Sequence, residues 1–133
     1  TWSSGGIRRP AEGLYFAMVF TLSLRRAFVA DHFHDLPGFQ EDRHGHNWEV
    51  EAAVELARET DEPAFAEALD AWVRGVDYRL LNDLPALAGR NPTAEALAEW
   101  ALLDLQAAAL RAQWVKIREK ANYWALCRAG VPR

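Results

Sequence analysis

All four histidines of this chain fall between positions 32 and 46, in two pairs: His32-Phe33-His34 and His44-Gly45-His46. Residues i and i+2 of an extended strand face the same side. His44 and His46 would therefore project together, on the parity of Trp48 and Val50, toward the apolar side. Two imidazoles side by side can chelate one metal. If the preceding strand ends at His32, a hairpin-like pairing brings a third nitrogen to the same spot. Three neutral histidines with an open fourth position are the pattern of catalytic zinc sites. Gly45, between two of them, leaves room for another backbone or a ligand to come close. The plain alternative is a set of surface histidines around a loop. Their concentration into two facing pairs counts against it. A cupin-type site also uses His-x-His but needs an all-β barrel, which the long Ala/Leu-rich segment further on argues against.

Elements able to hold such a site can be read from periodicity. Residues 18–33 read as a strand, with Phe20, Leu22, Leu24, Phe28 and Ala30 at period two and Arg26 interrupting. A polar loop from Asp35 to Arg43 follows. Next comes the clearest strand, with Trp48, Val50, Ala52, Val54 and Leu56 on one face and Glu49, Glu51 and Glu55 on the other. Phe65, Leu69, Trp72 and Val73 then take helical spacing, and Gly75 is expected to close that helix. Asn91-Pro92-Thr93 is a helix start, with the helix expected from about Ala94 to Ala112 and a buried stripe of Leu97, Trp100, Ala101, Leu105 and Ala108. Two short strands, Trp114–Glu119 and Asn122–Cys127, with a turn near Lys120-Ala121, complete the order ββααββ. The expected architecture is α+β, a four-stranded antiparallel sheet with two helices on one face. Its exposed sheet edges favour oligomerisation.

Composition bounds the rest. A chain of 133 residues with 50% hydrophobic and 26% charged residues is expected to form one domain. The net charge of −4 without a lysine/arginine block disfavours nucleic acid as a partner. No apolar run approaches a membrane span. The single cysteine, Cys127, excludes an intrachain disulfide framework and fits a cytoplasmic location. Residues 1–17 show no period, and Glu12-Gly13-Leu14-Tyr15-Phe16 looks like a degraded protease-tag sequence. They are expected to be an extension or tag remnant, with the domain at 18–133.

Several segments in order carry a specific resemblance. Phe28-Val29-Ala30-Asp31-His32 followed by His44-Gly45-His46-Asn47-Trp48 resembles the metal signature of the 6-pyruvoyltetrahydropterin synthase and 6-carboxytetrahydropterin synthase family. Val76 to Asp83 is similar to that family's L-D-H-x-x-L-N-D, Asn91 to Ala98 to its N-P-T-x-E-x-L-A, and Val115 to Glu119 to its strand ending in a pterin-anchoring glutamate. The resemblance runs from about residue 20 to 128. It implies the tunnelling fold, assembly into an oligomeric barrel, commonly a hexamer, with active sites between subunits, and zinc on His32, His44 and His46, leaving His34 out. It implies Glu119 and Thr93 as contacts for a pterin.

The family pattern breaks at two positions. The usual catalytic cysteine is replaced by Gln40, which cannot act as a thiolate base. The histidine partner of Asp77 is replaced by Tyr78, whose unperturbed pKa of ~10 makes it a poor base at neutral pH. Glu41, in Glu-x-x-His-Gly-His, is similar to a subgroup that uses glutamate in place of the cysteine. The alternative for Glu41 is a solvated loop charge, and for Asp77 a helix cap. The resulting expectation is a zinc-dependent lyase acting on the side chain of dihydroneopterin triphosphate or a close relative, with Glu41, Asp77 and Tyr78 handling protons. The competing expectation is a catalytically altered homologue that binds zinc and a pterin or purine-like ligand without that reaction.

Overall fold

A strand that covers a core on one face must alternate, and the two histidine pairs lie at the ends of two such strands. The computed structural model describes residues 19–130, so the expected extension at 1–17 lies outside the described residues. Strand β1 (Phe20–His32) and strand β4 (His44–Leu56) pair antiparallel along their whole length, from Phe20 opposite Leu56 to His32 opposite His44. Between them the loop carries a small hairpin, β2 (Asp35–Leu36) and β3 (Phe39–Gln40), turning at Gly38 with φ +77°. Helix α1 (Glu62–Val76), the short strand β5 (Arg79–Leu80), helix α2 (Ala94–Ala107) and strands β6 (Arg111–Lys120) and β7 (Tyr123–Arg128) follow. The sheet order is β5-β1-β4-β6-β7. Its four long strands are antiparallel, as expected; β5 joins the edge in parallel with β1 through Ala30–Arg79 and Asp31–Leu80.

Both helices cover one face of this sheet. Trp48, Val50, Ala52, Val54 and Leu56 are buried together with Phe65, Leu69 and Trp72 of α1 and Leu97, Ala101 and Leu105 of α2. Each fully buried aliphatic or aromatic side chain contributes about 1.5–3 kcal/mol. Arg26, the break in the β1 pattern, faces inward, and its Nε donates to Asp70 Oδ1 at 2.7 Å, so the interruption is an ion pair with α1. Trp72 and Trp100 meet edge to face at 5.4 Å.

Four boundaries differ from the periodicity. Gly75 does not close α1; the helix continues to Val76, and Tyr78 takes the left-handed conformation at φ +57°. Helix α2 stops at Ala107 rather than 112, and Ala108 is exposed instead of in the stripe. There Ala109 adopts φ +62°, and Leu110 N–H reaches back to the Leu105 carbonyl. Glycine ordinarily takes that role, and an alanine run hides it. Strand β6 extends beyond its expected bounds at both ends and β7 is shifted one residue later, so the turn falls at Ala121-Asn122. The start of α2 is as anticipated: Thr93 Oγ1 accepts from Ala96 N–H at 3.1 Å. Thr93→Ala is expected to lower unfolding stability by roughly 0.5–2 kcal/mol, read from urea denaturation; an unchanged midpoint would show that the cap contributes nothing. Among the described residues no helix is long and apolar enough to cross a membrane.

Candidate metal centre and cavity

The β1–β4 register creates the site. Placing His32 opposite His44 and Ala30 opposite His46 brings the three rings together, with centroids 4.6 Å (His32–His44), 5.1 Å (His32–His46) and 4.8 Å (His44–His46) apart. One ring nitrogen from each lies within 4.8 Å of the others. Trp48 forms the floor, edge-on to His32 and His46, and its Nε1 donates to the Ala30 carbonyl at 3.0 Å. Gly45 sits opposite Asp31, and a Cβ there would lie 2.6 Å from Asp31 Oδ1. What approaches this glycine is thus a side chain of the paired strand, itself held by Arg43 at 2.8 Å.

Second contacts set the tautomers. Nδ1 of His32 lies 2.8 Å from the Pro92 carbonyl, and Nδ1 of His44 lies 2.8 Å from the Asp42 carbonyl. A carbonyl only accepts, so each Nδ1 donates its ring proton there, and Nε2 is the nitrogen each ring has left for another partner. His32 is fully buried, and its Nε2 makes no hydrogen bond. An orphaned buried nitrogen beside two more imidazoles fits a metal ion, and such carbonyl-anchored histidines are how ligand rings are oriented. Burial lowers the pKa of His46, against the opposing pull of the Glu119 carboxylate, with His32 and His44 adding to the lowering. That keeps the ring in the neutral, ligating form.

The polar landmarks of the sequence turn out to be the frame around this group. Asn82 Oδ1 accepts from Phe33 N–H and its Nδ2 donates to the Phe33 carbonyl, both at 3.0 Å. Asn91 Oδ1 accepts from Asp35 N–H at 2.9 Å. Together with Pro92 they fix the end of β1.

Above the histidines opens a cavity of about 240 Å³, lined by His44 and His46 together with His34, Glu41, Thr93, Glu119, Lys120 and Tyr123. Glu41 Oε1 accepts the His34 backbone N–H at 3.1 Å and stands 3.0 Å from His34 Nδ1 and 3.7 Å from His44 Nδ1. Burial would raise its pKa, but the His34 N–H and the fields of His34, His44 and His32 outweigh it and hold the group below the usual range. Glu41 is therefore ionised at neutral pH. Glu119 extends the inward parity of Val115 and Ile117; a register shift between Arg118 and Lys120 sets it at a bulge, a device that re-aims a side chain. Its Oε1 lies 3.0 Å from His32 Nε2 and 3.7 Å from His46 Nε2.

Asp77 and Tyr78 do not join this group within one chain. Asp77 caps the end of α1, where its Oδ1 accepts from Val29 N–H at 2.9 Å. Tyr78 beside it is 84% exposed. Gln40 lies on β3, outside the cavity lining. His34, expected to stay off the metal, lines the cavity, as do Lys120 and Tyr123, which were not among the expected site residues. The last two flank the turn after Glu119, and their nearness in sequence to a candidate anchor was the available signal.

The α+β sheet thus carries, at one strand-pair end, three facing histidines that could hold a metal ion beside an adjoining cavity. Residues 21–130 match the family model described as 6-pyruvoyl tetrahydropterin synthase, and the chain belongs to that family. Its fold is similar to that of the Caenorhabditis elegans 6-pyruvoyl tetrahydropterin synthase (15% identity, TM-score 0.73, covering 88% of this chain and 100% of that one). It is likewise similar to the Plasmodium vivax 6-pyruvoyl tetrahydropterin synthase (13% identity, TM-score 0.68, covering 86% and 99%). A mutant of the Plasmodium vivax protein, described as a catalytic-residue mutant with glutamate replaced by alanine, matches at 12% identity with TM-score 0.68, covering 86% and 99%. At these identities the likeness establishes the fold. No curated protein matches the chain.

Proposed function

We propose that the chain is a zinc-dependent lyase acting on the side chain of dihydroneopterin triphosphate or a close relative. The observation that carries this reading is the orphaned Nε2 of buried His32, beside His44 and His46, at the head of a cavity that also holds Glu41 and Glu119. Bound there, zinc would supply Lewis acidity to the hydroxyls or carbonyl of the substrate's side chain. Glu41, ionised and on the cavity wall, accepts the proton from the substrate carbon. Glu119 grips the ring N–H and exocyclic amino group of the pterin with its two oxygens, and Thr93 lines the cavity beside it. Support for a glutamate base comes from the Plasmodium vivax relative, where a glutamate is described as a catalytic residue.

Asp77 and Tyr78 act in the site of a neighbouring copy. They lie away from the cavity of their own chain, and Tyr78 is exposed in a left-handed backbone that turns it outward from β1. The reading is of a cytoplasmic homo-oligomer, a hexamer, joined through sheet edges. The edge strand β7 leaves Tyr123 and Trp124 exposed at 43% and 51%. The experiment is subunit mixing. Glu41→Gln and Asp77→Asn are each expected to be nearly inactive, and unfolding and refolding them together should restore turnover, because some sites then combine an intact Glu41 with a neighbour's intact Asp77. No recovery, or a monomer in light scattering, rules out the shared site.

A second reading is favoured by the replacements at Gln40 and Tyr78: a homologue that binds zinc and a pterin or purine-like ligand without turnover. Wild-type protein inactive on a panel of reduced pterin triphosphates, yet binding them in calorimetry, selects it.

A further inference from the structure

The loop between β1 and β4 leaves the site at His34 and returns to it at Glu41, on either side of the β2–β3 hairpin. Glu41 N–H donates to the His34 carbonyl at 3.1 Å, which closes the loop without any side chain. Two further contacts join the same residues, and both end on one carboxylate oxygen. The His34 backbone N–H donates to Glu41 Oε1 at 3.1 Å, and the His34 ring nitrogen Nδ1 stands 3.0 Å from that oxygen. His44 Nδ1, at 3.7 Å, faces Oε1 as well. Oε1 is therefore the anchored oxygen of Glu41, and Oε2 is the one left to meet another partner.

This carboxylate needs such a hold. Glu41 and His34 line two openings at once: the cavity of about 240 Å³ over the histidines, and one of about 270 Å³ lined also by Phe33, Asp35, Gln40 and Asp42. A glutamate turns about three side-chain bonds, so a carboxyl group at the wall between two openings can swing toward either. One backbone N–H on one oxygen leaves the group free to pivot about that bond. A ring placed against the same oxygen from a second direction restricts the pivot. Proton transfer depends on such placement, because the accepting oxygen must lie within hydrogen-bond reach of the reacting group.

We infer that His34 is a positioning residue for Glu41: its ring holds Oε1, so that Oε2 is the oxygen presented to the substrate. The inference rests on the reading of Glu41 as the base. A loop staple alone would need only the two backbone bonds, and the ring contact would then be without effect on turnover.

The test is a double-mutant cycle of wild type, His34→Ala, Glu41→Gln and the double variant, with His34→Asn as the conservative change. Turnover of a reduced pterin triphosphate is measured beside zinc content, calorimetric affinity for a reduced pterin and circular dichroism. His34→Ala keeps the backbone N–H and removes only the ring. It is expected to lower kcat by up to about 100-fold, the cost of a misplaced group, with KM, zinc content and pterin affinity unchanged. His34→Asn, whose amide nitrogen takes the place of Nδ1, should recover most of the loss. In the Glu41→Gln background, removing the ring should change kcat by no more than about twofold, because the group it places is already gone. Full kcat in His34→Ala beside a slow Glu41→Gln overturns the positioning role and leaves Glu41 as the base. An equal fall in both backgrounds, or loss of zinc in His34→Ala, shows that the ring acts elsewhere and overturns it too. Glu41→Gln as fast as wild type, or a wild type without turnover, overturns the underlying reading and this role with it.

Discussion

Glu41→Gln is expected to lower turnover of a reduced pterin triphosphate by about 10²–10⁴-fold, the range for loss of a general base, while zinc content stays at wild-type level. The carboxylate is poised for this. It is tied to the chain by the His34 backbone N–H at 3.1 Å and lies beside His34 and His44 on the cavity wall. Glutamine keeps the shape and can still accept the His34 N–H, so folding and metal binding should not move. It cannot take up a proton at neutral pH. Single-turnover kinetics with equal zinc loading is the measurement; a variant within threefold or so of wild type would remove Glu41 from the chemistry and leave its contact with His34 as a loop staple.

The second large effect is expected at His32. His32→Ala should abolish stoichiometric zinc binding, assayed by metal analysis after dialysis against a weak chelator. It should also lower stability by about 2–5 kcal/mol, from the cavity left by a buried side chain and the Pro92 carbonyl left without its donor. His32 is 0% exposed and its Nδ1 is bonded to Pro92 at 2.8 Å, so the proposed metal role and the core role meet in one side chain. His44→Ala separates the two roles. Its ring is 36% exposed and bonded only to Asp42 of its own loop, so zinc should be lost with little change in the urea midpoint. Full zinc occupancy in His32→Ala would refute the site. Equal destabilisation by the two variants would refute the division of roles.

The periodic parts of the fold were legible because burial on one face writes itself into the sequence. The alternation in β4 holds except at buried Ala53, beside a register shift, and His44 and His46 inherit their direction from the parity of Trp48 and Val50. The spacing of two histidine pairs at strand ends sufficed to anticipate a three-nitrogen site. Element ends were less legible where the usual punctuation is missing. Ala109 ends α2 in the conformation a glycine would normally take, and Gly75, which looked like a stop, sits inside α1. Sequence carries a residue's preference, and at both places the packing of the next strand decides against it.

By itself the sequence determined the α+β class, the inward faces, which three histidines come together and the departure from the family pattern at Gln40 and Tyr78. Only the tertiary structure decided which nitrogen His32 has left to offer, because that depends on the carbonyl of Pro92, 60 positions along the chain. It alone decided that Glu119 comes within 3.0 Å of His32, through a bulge no composition signals, and that Asp77 and Tyr78 stand apart from Glu41. Periodicity is a local property and fixes which way a side chain faces. Distances between elements follow from strand register and helix packing, which are sums over many contacts and belong to no single segment.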